Sequence, residues 1–210
     1  MFSVIIPTIW KSDVIFRLVE NISKSDLVGE IILINNNPSE DKFISNHKVR
    51  EFKFDNIYVN PSWNFGVSVS KYENICLCND DILFNTDIFK YIEENIKYKI
   101  IGVDKLSYSI KSDNDYKLSK VLVRNKGWGC LIFMEKKNYT EIPIDLKIWF
   151  GDDWIIKNNI SLIYKLSGLS IRSCINEIGG SSTSNDIFRN IIDMDVKNSI
   201  KYNLPWSNDY

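Results

Sequence analysis

The sequence predicts an α/β fold in which a mostly parallel sheet is flanked by helices. Short apolar runs typical of buried strands alternate with helical patterns through the first 80 residues. Three of these runs, residues 2–6, 30–34 and 74–78, are followed by Pro, Asn or Asp, which favour turns. Parallel strands joined by right-handed crossovers end at the same edge of a sheet, and open α/β sheets bind ligands there. The sequence therefore predicts a ligand site built from the residues that follow these strands.

The first half of the chain contains the parallel part of this sheet. Its predicted elements are strand 2–6, a helix capped by Ser12, strand 30–34, a short polar helix near Asp41, a weaker strand 53–59, helix 63–71 and strand 74–78. The helix after Ser12 carries Ile15, Leu18 and Ile22 on one face, which is the spacing of an amphipathic helix.

After Asp81 the pattern changes to shorter β-type runs mixed with helices. The predicted elements are a helix capped by Asp87, strands 100–103, 106–110, 118–123 and 130–134, a helix-like segment opened by Asp152 and a longer helix capped by Asp186. A chain of 210 residues is long enough for one domain with a sizeable core. We therefore expect a single domain, residues 1–210, with a nucleotide-binding half over about residues 1–103 and a mixed half over about residues 104–210.

The composition excludes several classes of function. With 26 Lys and Arg against 27 Asp and Glu, the net charge of −1 does not favour nucleic acid or an anionic membrane as a partner. No run approaches the roughly 18 apolar residues of a membrane span, so we expect a soluble protein. Cys76 and Cys78 lie inside an apolar run, which favours reduced thiols in the cytoplasm over a zinc pair. The single histidine, His47, argues against Ser-His-Asp catalysis.

The most informative segment is CLCNDDILF, in which a strand ends at Asn79, Asp80 and Asp81. Two adjacent carboxylates at a sheet edge repel each other, so stability alone does not favour them. A hard divalent cation, Mn2+ or Mg2+, would remove that repulsion, because such ions prefer carboxylate and phosphate oxygens. An ordinary turn is the alternative, since Asn and Asp are common turn residues.

A second acidic pair, Asp152 and Asp153, lies in the segment WFGDDWII. Capping of the following helix explains one of the two carboxylates. The other, beside a like charge and between Trp149 and Trp154, is suited to act as a general base, and the tryptophans offer faces for a sugar ring. Both interpretations remain open at this point.

Two glycine-containing segments are weaker candidates for ligand contact. In GWGCLIFM, Gly127 and Gly129 would let the backbone approach a ligand, with Trp128 as a stacking face; entry into a hairpin is the alternative. The loop NEIGGSSTSND, residues 176–186, could bind phosphate through backbone N–H groups, although it contains no P-loop or GxGxxG pattern.

Taken in order, five segments resemble the motifs of the GT-A glycosyltransferases, especially the large inverting family that includes bacterial polysaccharide and rhamnosyl transferases. The segments are FSVIIPT, EIILINNNPS, WNFGVSVSK, ICLCNDDILF and WFGDDW. The resemblance covers roughly residues 2–185 and rests on their order and spacing. It implies a GT-A fold and a metal-dependent enzyme that moves a sugar from a nucleotide-diphosphate donor, preferably a UDP-sugar, to a hydroxyl of a saccharide or glycoconjugate acceptor, with inversion.

The resemblance also implies a role for individual residues. The implied donor-binding residues are Pro7, Thr8, Asn35, Asn36, Asn64, Asn79 and Asp80. The implied metal ligands, for Mn2+ or Mg2+, are Asp81 and Asn176. Asp153 would be the catalytic base, with Asp152 beside it. The implied acceptor-binding residues are Trp128, Gly129 and Trp154.

The sequence departs from the usual pattern of these enzymes at three places. Asn35 stands where they usually have an acid that reads uracil, the acidic motif is Asn-Asp-Asp, and Asn176 stands where some members have a histidine ligand. Two alternatives remain: a sugar-phosphate nucleotidyltransferase, although PTIWKSD lacks the usual glycines, and a non-catalytic module that binds a nucleotide sugar or a glycan.

Overall fold

The computed structural model describes residues 1–108, 115–121, 128–173 and 186–204. The strands in these ranges are β1 (Phe2–Thr8), β2 (Val28–Asn35), β3 (Val49–Lys53), β4 (Asn74–Cys78), β5 (Ile82–Phe84), β6 (Ile100–Val103), β7 (Lys117–Lys120), β8 (Leu131–Glu135), β9 (Ile163–Ser167) and β10 (Ile171–Ser173). The α-helices are α1 (Val14–Ser23), α2 (Val59–Val69), α3 (Ile88–Asn95), α4 (Gly151–Asn158) and α5 (Asp186–Lys201). Short 3-10 helices span Lys105–Tyr108, Trp128–Cys130, Lys136–Asn138 and Ile160–Leu162.

An eight-stranded sheet in the order β3-β2-β1-β4-β8-β6-β9-β7 forms the centre of the protein. Strands β1 to β4 pair in parallel, β8 is antiparallel to both β4 and β6, and β7 is antiparallel to β9. Because β6 and β9 are parallel to each other, β8 and β7 run opposite to the other six strands. A separate antiparallel pair joins β5 to β10. The expected mostly parallel sheet flanked by helices is confirmed.

The helices cover the two faces of this sheet, and strand alternation decides which side chains meet them. Val4 and Ile6 belong to one core cluster with residues of α1 and α3, whereas Ile5 belongs to the other with residues of α2 and α4. All three side chains are fully buried. Among the described residues, no helix combines the length and apolar character needed to cross a bilayer.

Most of the predicted elements are confirmed, some of them residue for residue. Strand β4 spans the predicted residues 74–78 and β6 the predicted residues 100–103. Helix α1 forms as predicted, but its N-cap residue is Asp13 and not Ser12; Ser12 Oγ accepts a hydrogen bond from the N–H of Val14 at 3.3 Å. Helix α3 begins after Asp87, but that side chain makes no cap bond.

Four local predictions are wrong. Residues 41–46 form no helix; Ile44 packs against the core while the neighbouring Phe43 is 70% exposed, so the segment presents no continuous apolar helix face. The third strand is residues 49–53, since pairing with β2 selects that register, and α2 begins at residue 59 instead of 63. The predicted strand 106–110 begins instead as the 3-10 helix Lys105–Tyr108, and residues 109–110 lie outside the described residues.

Candidate active site

The carboxyl edge of the sheet, where β1, β2 and β4 end at Thr8, Asn35 and Cys78, gathers the predicted donor-side residues. Thr8 lies opposite Asn35 in the parallel register, and Thr8 O accepts a hydrogen bond from the N–H of Asn36 at 2.8 Å. Pro7, one residue earlier on β1, is buried. The edge therefore brings together the ends of three strands, as the sequence predicts.

Asp80 is held at this edge by the end of β1. Thr8 Oγ1 donates a hydrogen bond to Asp80 Oδ2 at 2.7 Å and accepts one from the N–H of Trp10 at 2.9 Å. Only 5% of Asp80 is exposed. Burial raises the pKa of this carboxyl to about 7, and the charge of Asp81 adds to the rise, while the bond from Thr8 opposes it. The structure therefore holds a carboxylate where water cannot stabilise its charge.

Asp81 is buried beside Asp80 and is less well satisfied. It is 4% exposed, and Asp81 Oδ1 has no hydrogen-bond partner among the residues the structure describes. Burial also raises the pKa of this carboxyl. A buried carboxylate oxygen without a donor is costly unless a cation meets it. The two residues therefore fit a hard divalent cation such as Mn2+ or Mg2+.

Further protein ligands for such a cation are not apparent in the described ranges. Within them, no group of three or more His, Cys, Asp or Glu side chains could hold a metal ion. Asn176, the second predicted ligand, lies outside the described residues together with the rest of the loop 176–185. β10 ends at Ser173, which pairs with Ile82, the residue after Asp81. Substrate phosphates and water commonly complete the coordination of Mg2+ in proteins.

The second acidic pair occupies the first turn of α4. Asp152 and Asp153 follow Gly151, and Asp152 Oδ1 accepts the N–H of Asp153 at 3.1 Å. The positive end of the helix dipole stabilises carboxylates in this turn. Asp153 is only 3% exposed, so its side chain points into the protein rather than into bulk water.

The backbone immediately before α4 is strained. Phe150 has φ = 64° although it is a buried aromatic residue, a conformation that costs on the order of 1–2 kcal/mol. Trp10 and Tyr58, which lie close after β1 and at the start of α2, also have positive φ values, 61° and 68°. Strained residues of this kind concentrate at functional sites.

The start of β8 connects the two acidic pairs. The N–H of Asn79 donates to Cys130 O at 3.0 Å. The residue before Asp80 is therefore bonded to the residue directly before β8. One residue earlier, Gly129 lies so close to α4 that a Cβ on it would be 2.6 Å from Asp152 Oδ2. Gly129 therefore allows a close approach between the start of β8 and α4, and the neighbour it admits is Asp152. The predicted approach of this glycine to a ligand stays a prediction.

Asn35 and Asn36 lie where the sequence predicts them, but their amide groups are engaged by the protein. Asn35 Nδ2 donates to Glu51 Oε1 at 2.8 Å, and Asn35 Oδ1 accepts the N–H of Asn37. Asn36 Nδ2 donates to Ser62 Oγ at 2.9 Å, and its Oδ1 accepts the N–H of Ile57 at 3.0 Å. Direct contact of either amide with a nucleotide base would require these bonds to be exchanged.

The side chain of Asn64, predicted to lie at the donor pocket, has both ends of its amide group hydrogen-bonded to the protein. Its Oδ1 accepts hydrogen bonds from the Tyr139 hydroxyl at 2.6 Å and the N–H of Ile142 at 2.9 Å. Its Nδ2 donates to Ile142 O at 2.8 Å. The side chain therefore tethers residues 139–142 to α2.

The expected stacking face of Trp128 is also absent. Trp128 is fully buried, Gly102 lies against its ring, and its Nε1 donates to Tyr164 O at 3.1 Å. The ring packs in the core, so the expectation that its face contacts an acceptor is wrong for this structure. Trp154 is half-buried instead; its Nε1 donates to Glu141 O, and its ring packs edge-on against Tyr202.

Tyr108 lies near the site and was not anticipated from the sequence. Tyr108 is packed near Cys130 and Asp81, and burial followed by the influence of these groups raises the pKa of its hydroxyl well above the usual value. The run 106–110 shows a β-type pattern in the sequence, so only the tertiary fold reveals that Tyr108 turns toward the acidic loop.

Comparison with solved structures places this arrangement among known folds. S. aureus TarS 1–349 in complex with UDP-GlcNAc matches with a TM-score of 0.59 and 13% identity, over 98% of this chain and 68% of that chain. S. aureus TarS matches with a TM-score of 0.54 and 14% identity, over 81% of this chain and 36% of that chain. HddC from Yersinia pseudotuberculosis matches with a TM-score of 0.57 and 16% identity, over 83% and 94%. The chain has a GT-A-like fold.

The sequence comparisons add nothing to this result, because no protein-family model and no curated protein matches the chain. At 13–16% identity, the structural matches establish the fold and leave the activity to be argued from the site.

Proposed function

We propose that this protein is a metal-dependent glycosyltransferase that moves a sugar from a nucleotide-diphosphate donor, preferably a UDP-sugar, to an acceptor hydroxyl. The observation that carries the proposal is Asp81, whose buried Oδ1 lacks a donor beside a second buried carboxylate, Asp80, at the carboxyl edge. Structural stability does not explain such a pair. A bound cation and its diphosphate ligand do.

Asp81, assisted by Asp80, would hold Mn2+ or Mg2+. When bound, such an ion stabilises the negative charge that develops on a departing diphosphate by acting as a Lewis acid. Thr8 fixes the carboxylate of Asp80 through its 2.7 Å hydrogen bond, so the geometry of the acidic loop is set before a ligand arrives. Such preorganisation avoids rearrangement during the reaction.

Asp153 is the proposed general base, with Asp152 beside it. It takes the proton from the acceptor hydroxyl as the oxygen attacks the anomeric carbon, a contribution of about 10²–10⁴-fold in rate. Its burial keeps competing water away, and its place in the first turn of α4 gives it a fixed direction. A single base that activates the acceptor for in-line attack inverts the anomeric centre.

The donor-side residues divide into two groups in this proposal. Asn79, which is partly exposed, and the Asp80 carboxylate face the donor, whereas Asn35 and Asn36 hold the loops that shape the base pocket. The choice of a uridine nucleotide is supported by the TarS structure, whose bound ligand is UDP-GlcNAc. The acceptor is proposed to be a saccharide or glycoconjugate that approaches near Gly129 and Trp154.

A panel of nucleotide sugars incubated with the protein, with and without Mn2+, tests this function. We expect release of the nucleoside diphosphate from at least one sugar nucleotide, slow without acceptor and dependent on Mn2+. A nucleotidyltransferase would instead release pyrophosphate from a nucleoside triphosphate and sugar phosphate. Binding of the sugar nucleotide, detected as a rise in melting temperature without any turnover, would indicate a non-catalytic module and contradict the proposal.

A further inference from the structure

The segment of residues 146–149, directly before α4, is held by a buried carboxylate from the far end of the chain. Asp195, on α5, accepts the N–H groups of Lys147 at 2.7 Å, Ile148 at 2.7 Å and Trp149 at 2.9 Å. Asp195 is 0% exposed. A buried carboxylate is retained only when hydrogen bonds satisfy it, and bonds to a charged acceptor are the stronger ones.

The carbonyl groups of the same segment are held by Asn60, the second residue of α2. The N–H of Asn60 donates to Lys147 O at 2.9 Å, and Asn60 Nδ2 donates to Leu146 O at 3.1 Å and Trp149 O at 3.0 Å. Asn60 is also 0% exposed. Its amide leaves little room for the chain, because a Cβ on Gly151 would be 2.1 Å from Asn60 Oδ1.

All six hydrogen bonds are made to the backbone of residues 146–149, the four residues directly before the strained Phe150. Asp152 and Asp153 follow two and three residues after Phe150. No bond of the set touches either aspartate. The segment is therefore fixed immediately before the acidic pair, and through Phe150 and Gly151 it sets the position and direction of the first turn of α4.

We propose that Asp195 and Asn60 are positioning residues that fix the start of α4, so that Asp153, with Asp152 beside it, is placed to take the proton of the acceptor hydroxyl. This inference rests on the proposed function. Neither residue contacts a reacting group; both act through the backbone of residues 146–149. A displacement of about 1 Å at a reacting group can lower the rate about 10²-fold, so loosening this segment affects turnover more than donor binding.

The test is the variant Asp195→Asn in the full chain. It is assayed with Mn2+ for sugar transfer and for release of the nucleoside diphosphate from the sugar nucleotide. Asparagine keeps one oxygen but places an NH2 group where the other oxygen accepts N–H bonds. We expect kcat to fall about 10²-fold while the donor KM stays within about threefold. Hydrogen exchange of the amides of residues 147–149 should accelerate in the same variant, a readout that does not depend on activity.

Two control variants separate positioning from a general loss of stability. Asp193→Asn changes an exposed carboxyl two residues away on the same helix and should leave kcat and exchange unchanged. Glu30→Gln disturbs a buried network at the opposite edge of the sheet; it should lower the melting temperature without changing kcat at a temperature where it is folded. If Asp195→Asn does not fold, Asn60→Ala, which removes the two side-chain bonds and leaves those of Asp195, tests the same claim.

The inference is overturned if amide exchange in residues 147–149 accelerates in Asp195→Asn while kcat stays within threefold of wild type. It is also overturned if Glu30→Gln lowers kcat as much as Asp195→Asn does. A wild-type protein that binds nucleotide sugars but turns none over contradicts the proposed function instead, while the exchange measurement still shows whether Asp195 holds the segment.

Discussion

The hydroxyl of Thr8, at the end of the first strand, donates a hydrogen bond to the carboxylate of Asp80, which follows the fourth strand, at 2.7 Å. The two residues are 72 positions apart in the chain, and both are almost completely buried. The bond joins the end of β1 to the acidic loop that follows the neighbouring strand β4. It also provides Asp80 with the donor that partly offsets its burial.

Replacing Thr8 by valine tests this link, because valine keeps the shape and removes the hydroxyl. We expect Thr8→Val to weaken metal-dependent donor binding by about tenfold, since an unsatisfied buried acceptor costs about 1–3 kcal/mol. Titration calorimetry with the donor and Mn2+ measures the change. Thr8→Ser, which retains the hydroxyl, is the matched control; equal affinities for Val and Ser would show that the bond is irrelevant to the donor.

Asp153→Asn removes the proposed base and changes the side chain very little. Transfer should fall by about 10²–10⁴-fold, the usual contribution of a general base, and donor affinity should stay close to wild type because Asp153 does not hold the donor. The assay is a transfer rate alongside calorimetry of donor binding. Wild-type turnover in this variant would remove Asp153 from the mechanism, and Asp193→Asn serves as the control for loss of an aspartate.

Gly129→Ala tests the contact between the entry to β8 and α4. The added Cβ would lie 2.6 Å from Asp152 Oδ2, closer than real Cβ contacts occur, so the carboxylate or the helix must move. We expect lower kcat with donor KM little changed, measured by steady-state kinetics. Full activity in Gly129→Ala would mean that the position of Asp152 is not critical.

The buried carboxylate of Glu30, at the amino edge of the sheet, should make the free energy of unfolding depend on pH. It is 3% exposed and accepts hydrogen bonds from Ser3 Oγ at 2.6 Å, the N–H of Lys71 at 2.6 Å and Arg50 Nη1 at 2.5 Å. Burial raises its pKa, but these bonds outweigh burial and the net pKa is lowered. A carboxyl whose pKa is lower in the folded state stabilises the protein above its unfolded value, about 4.3, and loses that effect as pH falls.

The corresponding variant is Glu30→Gln. Its free energy of unfolding should be about 1–3 kcal/mol below that of wild type at pH 7, and the difference should shrink as pH falls below about 4. Urea unfolding at several pH values measures both. A difference that stays constant between pH 7 and pH 3 would show that the Glu30 carboxylate does not contribute through its charge.

Local patterns in the sequence predict the parallel half of the fold because each element there is decided by its own residues. The apolar run of β1 and the helical spacing of Ile15, Leu18 and Ile22 each specify one element. The third strand is different: VREFK has no alternation that distinguishes it from a loop, and its place is set by pairing with β2. Tertiary contact, which a single sequence does not show, decides such segments.

The candidate site divides in the same way. The acidic pairs that follow Cys78 and Gly151 can be recognised in the sequence, because two adjacent carboxylates repel each other and stability alone does not favour them. Asp195 and Asn60 cannot be recognised in the same way, because an aspartate on a polar helix and an asparagine near the start of a helix are both common. Only the fold brings the two side chains to one segment, residues 146–149. The burial of Trp128 is equally hidden in the sequence, because the glycine against which its ring packs, Gly102, lies on β6, 26 residues earlier in the chain.

The central claim is that Asp81 seats a divalent cation on which donor binding depends. Titration calorimetry of a UDP-sugar into wild-type protein and Asp81→Ala, each with Mn2+ and with EDTA, tests it most directly. We expect the wild-type protein to bind the donor at least tenfold more tightly with Mn2+ than with EDTA, a difference of about 1.4 kcal/mol, and Asp81→Ala to show no such dependence. Equal donor affinity of the wild-type protein in Mn2+ and in EDTA would contradict it.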